Sequence, residues 1–580
     1  MTTAATARGT TTTGPRPSTP TAVGDTVGRT WWLAHVATLV AAIPVLFWIN
    51  RDQWFAGDEW QVITRNGLGS NPTRLGLFAP HFEHWSTLGI LVYKALYGLF
   101  AVRTYVPYVA VLILVLLAVA HMTWRLLLRV GVNPAYATAV AALTTVLAAG
   151  WENRSTAWQI TIIAPVALGF GALLVMPVSG GWRRRDLGVS ALLLVGLACS
   201  GVGVTMTAVV ALAALLRRGW RVTLGIVAAP AAVYALWYAL EGTTGQRNTA
   251  SLSTAMGDLP GFVWRGLLGA FSDLTRVEHS GLVVLVAVVA WLGWRARPRH
   301  EPWPIVVATS AGAVLSLALT ALRRAGASPE SRYVDIVILL ALPALALMTQ
   351  EAGRALTRRF GRAAVAVCSV IAVMFLVVQV VALDDEVSHE AFVGEMRPRV
   401  LATARIMRDH EPIASTNIFG IPYLTEPSAT TIARLDRHGE LPALDVSTAD
   451  VLTAREYVGA VIGDASAYPD GVVQSVSVSG GVTTATTPGC VAVAPSTPKT
   501  TPRVRLQLPA AGSFRIATDT AAPASLEFVE GGAAGRPRPF DTAAGGGVGV
   551  GVARATNVVL TLPPTITTIC GLGSADVREG

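Results

Sequence analysis

Long apolar runs separated by short polar segments fill the first two thirds of the chain. A hydrocarbon core of ~30 Å needs about 20 apolar residues per helix. Runs of this kind lie near 32–49, 104–124, 135–150, 157–178, 187–199, 202–216, 222–240, 281–294, 303–321, 333–349 and 363–383. The 187–216 stretch is divided at Cys199-Ser200-Gly201-Val202-Gly203, because two glycines and a serine weaken a helix there. No small-residue cleavage site follows Trp32–Ile49, so this run reads as an anchor and not a signal peptide. The pattern predicts an α-helical polytopic membrane domain over 31–383, with about eleven spans. It is preceded by a Thr/Pro/Gly-rich, disordered tail over 1–30.

After Leu383 the period changes. Residues 384–410 keep helical spacing, and 411–465 mix short apolar runs with Pro, Asp and Gly, giving a mixed α/β region over 384–469. From 470 to 580 short β-prone runs alternate with Pro- and Gly-rich turns. Val472–Val478, Cys490–Val493, Val504–Leu508, Ser513–Ala517, Ser525–Val529, Val548–Ala553, Val558–Leu562 and Ile569–Leu572 read as strands of a small β-sandwich. The glycine-rich Gly545–Gly551 stretch lacks the strand-to-helix context of a phosphate loop and reads as a strand or hairpin.

Composition agrees with a membrane chain. Of 580 residues, 52% are hydrophobic and 14% charged, against roughly 25% charged in soluble domains. With a mean hydropathy of +0.51, this excludes a disordered chain, a coiled coil and most soluble enzymes. The net charge of +9 is not a nucleic-acid footprint, because the arginines lie between apolar runs and not in one patch. They fall in alternate loops: Arg125/Arg129, Arg183–Arg185, Arg217/Arg218/Arg221, Arg295/Arg297/Arg299 and Arg354/Arg358/Arg359/Arg362. The tail adds Arg8, Arg16 and Arg29. By the positive-inside rule that side is the cytoplasm. The chain is then a multi-pass protein of the plasma (inner) membrane with a cytoplasmic N-terminus and an extracytoplasmic region after Leu383. Asp186, Glu301 and Glu351 are acidic exceptions on the basic side, and Arg323, Arg324 and Arg332 are basic exceptions on the other.

Cys199 and Cys368 sit in apolar runs and read as inert. Cys490 and Cys570 lie in the polar C-terminal region, where an oxidising compartment would allow a disulfide.

Four outer segments carry candidate chemistry. Phe55-Ala56-Gly57-Asp58-Glu59-Trp60 sets two carboxylates between aromatics just beyond the first span. They read as a helix cap or as a general base whose basicity rises with partial desolvation. Pro80-His81-Phe82-Glu83-His84-Trp85-Ser86 precedes an amphipathic Thr87–Phe100 stretch suited to an interfacial helix. His81, Glu83 and His84 form a polar cluster or a substrate site, or ligate a divalent cation such as Mg or Mn. Glu330-Ser331-Arg332-Tyr333 opens a span. Arg332 and Tyr333, with Arg323 and Arg324, form an interfacial belt or grip a phosphate. Arg276-Val277-Glu278-His279 and Glu152 of the Trp151–Arg154 loop are secondary candidates.

Together these motifs resemble the GT-C superfamily of polytopic glycosyltransferases over 31–383. Members with extracytoplasmic C-terminal β-domains include actinobacterial arabinofuranosyltransferases and mannosyltransferases. The resemblance implies a polyprenyl-phosphate sugar donor and a first-loop acidic base. It makes Asp58 the base, Glu59 a helper and Arg332 a donor-phosphate contact. The acceptor would be a cell-envelope glycan, lipid or protein, and a single base predicts inversion. The chain lacks the Trp-Trp-Asp signature of oligosaccharyltransferases. A flippase or transporter for a lipid-linked sugar is one alternative, and a scaffold displaying a sugar-binding β-domain is another. The spans contain few ionisable groups, which favours one-sided chemistry. One site requires Asp58 to lie within about 15 Å of His84 or Arg332, the room a phosphosugar needs.

Overall fold

A computed structural model describes residues 28–65, 76–245, 252–297, 300–324, 328–389, 391–419, 427–470, 473–543, 547–572 and 576–579. The tail, Arg299, Val472 and Gly545 lie outside the described residues, Gly28–Thr30 excepted. The helices are α1 (Arg29–Ile49), α2 (Asp58–Arg65), α3 (Thr87–Phe100), α4 (Val106–Arg129), α5 (Pro134–Thr145), α6 (Glu152–Ser155), α7 (Ile160–Val175), α8 (Arg184–Leu197) and α9 (Val202–Arg218). They continue with α10 (Trp220–Leu240), α11 (Leu252–Thr275), α12 (Ser280–Arg295), α13 (Trp303–Ala321), α14 (Ser331–Ser388), α15 (Ala391–Arg408), α16 (Ala429–Arg437) and α17 (Thr448–Val458).

The chain is mostly helical, and every apolar run read from the sequence lies on a helix. Among the described residues, six helices are long and apolar enough to cross a membrane, or seven if the bent α11–α12 pair is one span. This is a polytopic membrane architecture. The remaining runs lie on shorter helices, such as α5 and α8. The break between α8 and α9 falls at Ser200-Gly201, as the glycines predict. In α14, Gly361 takes φ 61°, ψ −140°, so this long element is two helices meeting at a glycine between its apolar halves. Residues 252–275, which read as loop, form α11, bent by 105° from α12. Its Asp258, Pro260 and Asp273 dilute the apolar signal that marks the other helices.

Ion pairs gather the basic loops at one end of the helices. Each acidic exception binds an arginine from another segment. Asp186 meets Arg218 at 2.6 Å, Glu301 meets Arg217 at 2.7 Å and Glu351 meets Arg295 at 2.7 Å. At the opposite end, Arg51 pairs with Asp384 and Arg276 with Glu386, both at 3.0 Å.

The described residues of 411–465 include α16, α17 and one strand. Ser447 and Asp450 start α17 with a reciprocal capping box. The strands are β1 (Ala460–Gly463), β2 (Ser475–Ser479), β3 (Gly481–Thr487), β4 (Cys490–Pro495), β5 (Arg503–Leu508), β6 (Gly512–Thr518) and β7 (Pro523–Glu530). They end with β8 (Ala533–Ala534), β9 (Arg538–Asp541), β10 (Val548–Val552), β11 (Thr556–Thr561), β12 (Thr567–Cys570) and β13 (Asp576–Glu579). One sheet has the order β1-β10-β6-β12-β4-β3, and the other β13-β2-β5-β11-β7-β8 with β9 beside β7. All pairings are antiparallel except β13 with β2. Period-two burial is clearest in β5, where Val504, Leu506 and Leu508 are buried and Arg503, Arg505 and Gln507 exposed. Buried residues of both sheets, including Phe514, Ile516, Leu526 and Phe528, form one apolar cluster. Cys490 and Cys570 face each other in the β4–β12 register and are joined by a disulfide.

Glu456 of α17 is fully buried, and its Oε1 accepts a 2.9 Å hydrogen bond from the Phe528 amide. Burial raises its carboxyl to about 9, against the lowering pull of the Phe528 amide, with Glu527 adding a further push upward. The folded value lies above the unfolded one, so the stability tied to this proton is complete below the ordinary value near 4.5 and lost as pH rises through 9. Glu456→Gln keeps the neutral form. It is expected to flatten the fall in melting temperature of the intact protein between pH 6 and pH 10, and parallel profiles in variant and wild type would contradict this origin.

Candidate functional site

The turn before α2 separates the two adjacent carboxylates. Gly57 takes φ 49°, and the amide of Glu59 bonds the carbonyl of Ala56 at 3.1 Å. Successive helical side chains diverge by about 100°, so one carboxylate turns inward and the other outward. Glu59 is fully buried. Its Oε1 accepts hydroxyl bonds from Tyr93 at 2.5 Å and Tyr105 at 2.8 Å, and its Oε2 accepts the Ala56 amide at 3.0 Å. Burial is the largest influence and pushes its carboxyl up to about 7, while the three donors pull it down. Asp58 keeps 34% of its side chain exposed and lies 3.8 Å from the Arg332 guanidinium. Its carboxyl is raised above the ordinary value, first by burial, with Arg332 and Arg324 opposing and Glu330 and Glu152 reinforcing the rise.

Arg332 stands on the first turn of α14, and its surroundings are ordered by α6. Glu152 Oε2 accepts from the Arg332 amide at 3.0 Å and from Ser331 Oγ at 2.8 Å. A carboxylate at this helix N-terminus satisfies an otherwise unpaired amide and complements the helix dipole. Asn153 Nδ2 donates to the Arg332 carbonyl at 3.0 Å and to Asp335 at 2.9 Å. Beneath them Arg154 and Asp335 form a buried ion pair at 3.1 Å, with both side chains essentially inaccessible. Glu330 pairs with Arg332 and, at 2.8 Å, with Arg324. Both guanidiniums lie against the Tyr333 ring, at 5.5 and 5.8 Å from its centroid. Arg332 thus stands directly beside Asp58, with Arg324, Glu330 and Glu152 in its electrostatic surroundings.

The arginines of this cluster act electrostatically on the histidine turn. His81 and His84 exchange backbone hydrogen bonds at 3.0 Å, and His84 Nε2 lies 3.8 Å from Glu83. Burial holds the His84 imidazole below its ordinary value. Glu83 opposes this, and Arg324, Arg332 and Arg323 lower it further. His81 is directed elsewhere, with its ring edge-on to Trp158 at 5.1 Å. Among the described residues, no group of three or more His, Cys, Asp or Glu side chains is arranged to hold a metal ion.

Arg276, Glu278 and His279 lie apart, at the α11–α12 bend. There they line a separate cleft of about 720 Å3 with Asp273 and Glu386. No residue of the Asp58 cluster lines that cleft. Sequence reasoning assigned no role to Tyr93, Tyr105, Asn153, Arg154, Glu330 or Asp335. Asp335 carried a legible signal: a carboxylate entering an apolar run needs a partner, and Arg154 lies in one of the short outer loops. The tyrosines carried none, since interfacial tyrosines are common without any site role. No protein-family profile, curated protein or solved structure matches the chain.

Proposed function

We propose that the chain is a membrane glycosyltransferase that moves a sugar from a polyprenyl-phosphate donor to a cell-envelope glycan, lipid or protein. The observation that carries this reading is the half-buried Asp58 carboxylate set 3.8 Å from Arg332 at one end of the helices. A lipid-phosphate sugar enters sideways from the bilayer, and its phosphate takes the guanidinium face of Arg332, with Arg324 and Tyr333 beside it. The acceptor hydroxyl approaches from water. Its oxygen forms a bond to the anomeric carbon while its proton passes to Asp58. The bond from the anomeric carbon to the phosphate oxygen breaks, and the electron pair leaves with the phosphate, whose charge the arginines stabilise. Displacement from one side inverts the anomeric carbon. Nucleic acid has no part in this reaction.

In this reading the chain crosses the plasma membrane about eleven times, the shorter apolar helices included, from a cytoplasmic N-terminus to an extracytoplasmic β-sandwich. The gathering of the arginine-rich loops at one end supports that orientation, as does a disulfide in the C-terminal region. Protease added to spheroplasts is expected to degrade 384–580 and to spare Arg354–Arg362, and the opposite pattern would reverse the topology. A flippase would use ionisable groups along its path, whereas here the spans carry few of them. The deciding experiment offers purified protein a panel of polyprenyl-phosphate sugars with envelope acceptors. Transfer that is lost in Asp58→Asn supports the reading. Failure to bind any donor, together with movement of a solute across vesicles, would replace it with transport.

A further inference from the structure

A second cavity of about 190 Å3 opens between the end of α1 and the start of α4. We propose that it binds the headgroup of an anionic phospholipid. Its lining is apolar at Phe47, Val106 and Val109, and Arg51, Arg103 and Arg397 reach it from three separate segments. Arg51 is committed to Asp384 at 3.0 Å and to Asp52 at 3.3 Å, and so contributes little net charge. Arg103 spends only its Nε, on the Gly439 carbonyl at 2.7 Å. Arg397 is exposed and forms no hydrogen bond or ion pair among the described residues. Two guanidiniums thus remain for an anion.

The site lies where a headgroup would. Val106 is 60% exposed and Trp48, which stacks on Arg51, is 49% exposed, so an apolar and aromatic rim faces the bilayer just below the arginines. Cationic side chains over an apolar slot between membrane helices match a phosphate on acyl chains better than a free anion. Trp54 and Tyr105 form the inner wall, and the Tyr105 hydroxyl holds Glu59 beside Asp58. An occupant would therefore brace the floor of the Asp58 cluster, whatever reaction that cluster performs.

The test is native mass spectrometry of the purified full-length protein with phosphatidylglycerol, phosphatidylcholine and a polyprenyl phosphate, alongside titration with inorganic phosphate. Phosphatidylglycerol is expected to bind preferentially. The Arg103→Gln/Arg397→Gln pair is expected to weaken it about 30-fold, the loss of two surface arginines. Arg397→Glu alone breaks no hydrogen bond or ion pair among the described residues and is expected to weaken it similarly, with the melting temperature in phosphatidylcholine unchanged. Undiminished phosphatidylglycerol binding in Arg397→Glu would overturn the proposal. So would inorganic phosphate competing at equal concentration, or polyprenyl phosphate alone showing dependence on these arginines.

Discussion

Asp58→Asn is expected to lower glycosyl transfer by about 10²–10⁴-fold, the usual loss when a general base is removed, while the protein stays folded and inserted. The substitution is nearly isosteric and removes only the ability to accept a proton. Among the described residues Asp58 makes no hydrogen bond, whereas Glu59 accepts three, so stability should change little. Arg332→Lys is expected to be damaging as well, because an ammonium cannot reproduce a planar fork already shared with Glu330. Glu59→Gln separates base from support. Its three donors from Tyr93, Tyr105 and Ala56 all point at a carboxylate, so the amide must turn its NH2 toward one of them. The variant is therefore expected to lower the melting temperature while retaining more turnover than Asp58→Asn. Radiolabelled transfer and thermal unfolding on the same preparations check both. Equal activity in Asp58→Asn and wild type would remove the base assignment.

Asp335→Ala is expected to destabilise the membrane domain by about 3–5 kcal/mol, the cost of leaving one member of a buried ion pair unpaired. Arg154 is 1% exposed and also donates to the carbonyls of Gly150 at 2.8 Å and Thr144 at 2.7 Å. It cannot swing to water once Asp335 is gone. Asp335 further holds Asn153, whose amide fixes the Arg332 carbonyl, so loss of transfer should accompany loss of stability. Adding Arg154→Met removes the stranded charge and is expected to restore part of the melting temperature. Restoration stays partial because the carbonyls of Gly150 and Thr144 lose their donors. An unchanged melting temperature in Asp335→Ala would show that water reaches Arg154.

Two readings of the outer polar segments diverged in the structure for a local reason. Arg276, Glu278 and His279 sit at a helix bend with most of the Glu278 and His279 side chains exposed, at 90% and 84%. Arg332 sits at a helix start where α6 supplies a carboxylate and an amide. Both segments combine an arginine with a carboxylate before a span, and nothing within either segment specifies what packs above it.

Most of the apolar helices, the break at Ser200-Gly201, the helix over Thr87–Phe100 and eight of the strands were legible in the chain alone, because each depends on the period of apolar residues over a short window or on a glycine within it, whereas the polar residues and proline of α11 hid it. The pairing of Cys490 with Cys570 was legible as an option, and strand register decided it by setting the two directly opposite. Which of the adjacent carboxylates faces the arginines was not legible. Asp58 and Glu59 are equivalent as sequence neighbours, and only the hydroxyls of Tyr93 and Tyr105, delivered by α3 and the approach to α4, turn Glu59 inward. The meeting of Asp58 with Arg332, and of Arg154 with Asp335, likewise belongs to the packed bundle. Apolar periodicity determines that helices form and which face is buried, while side-chain packing between distant segments determines which polar ends come together.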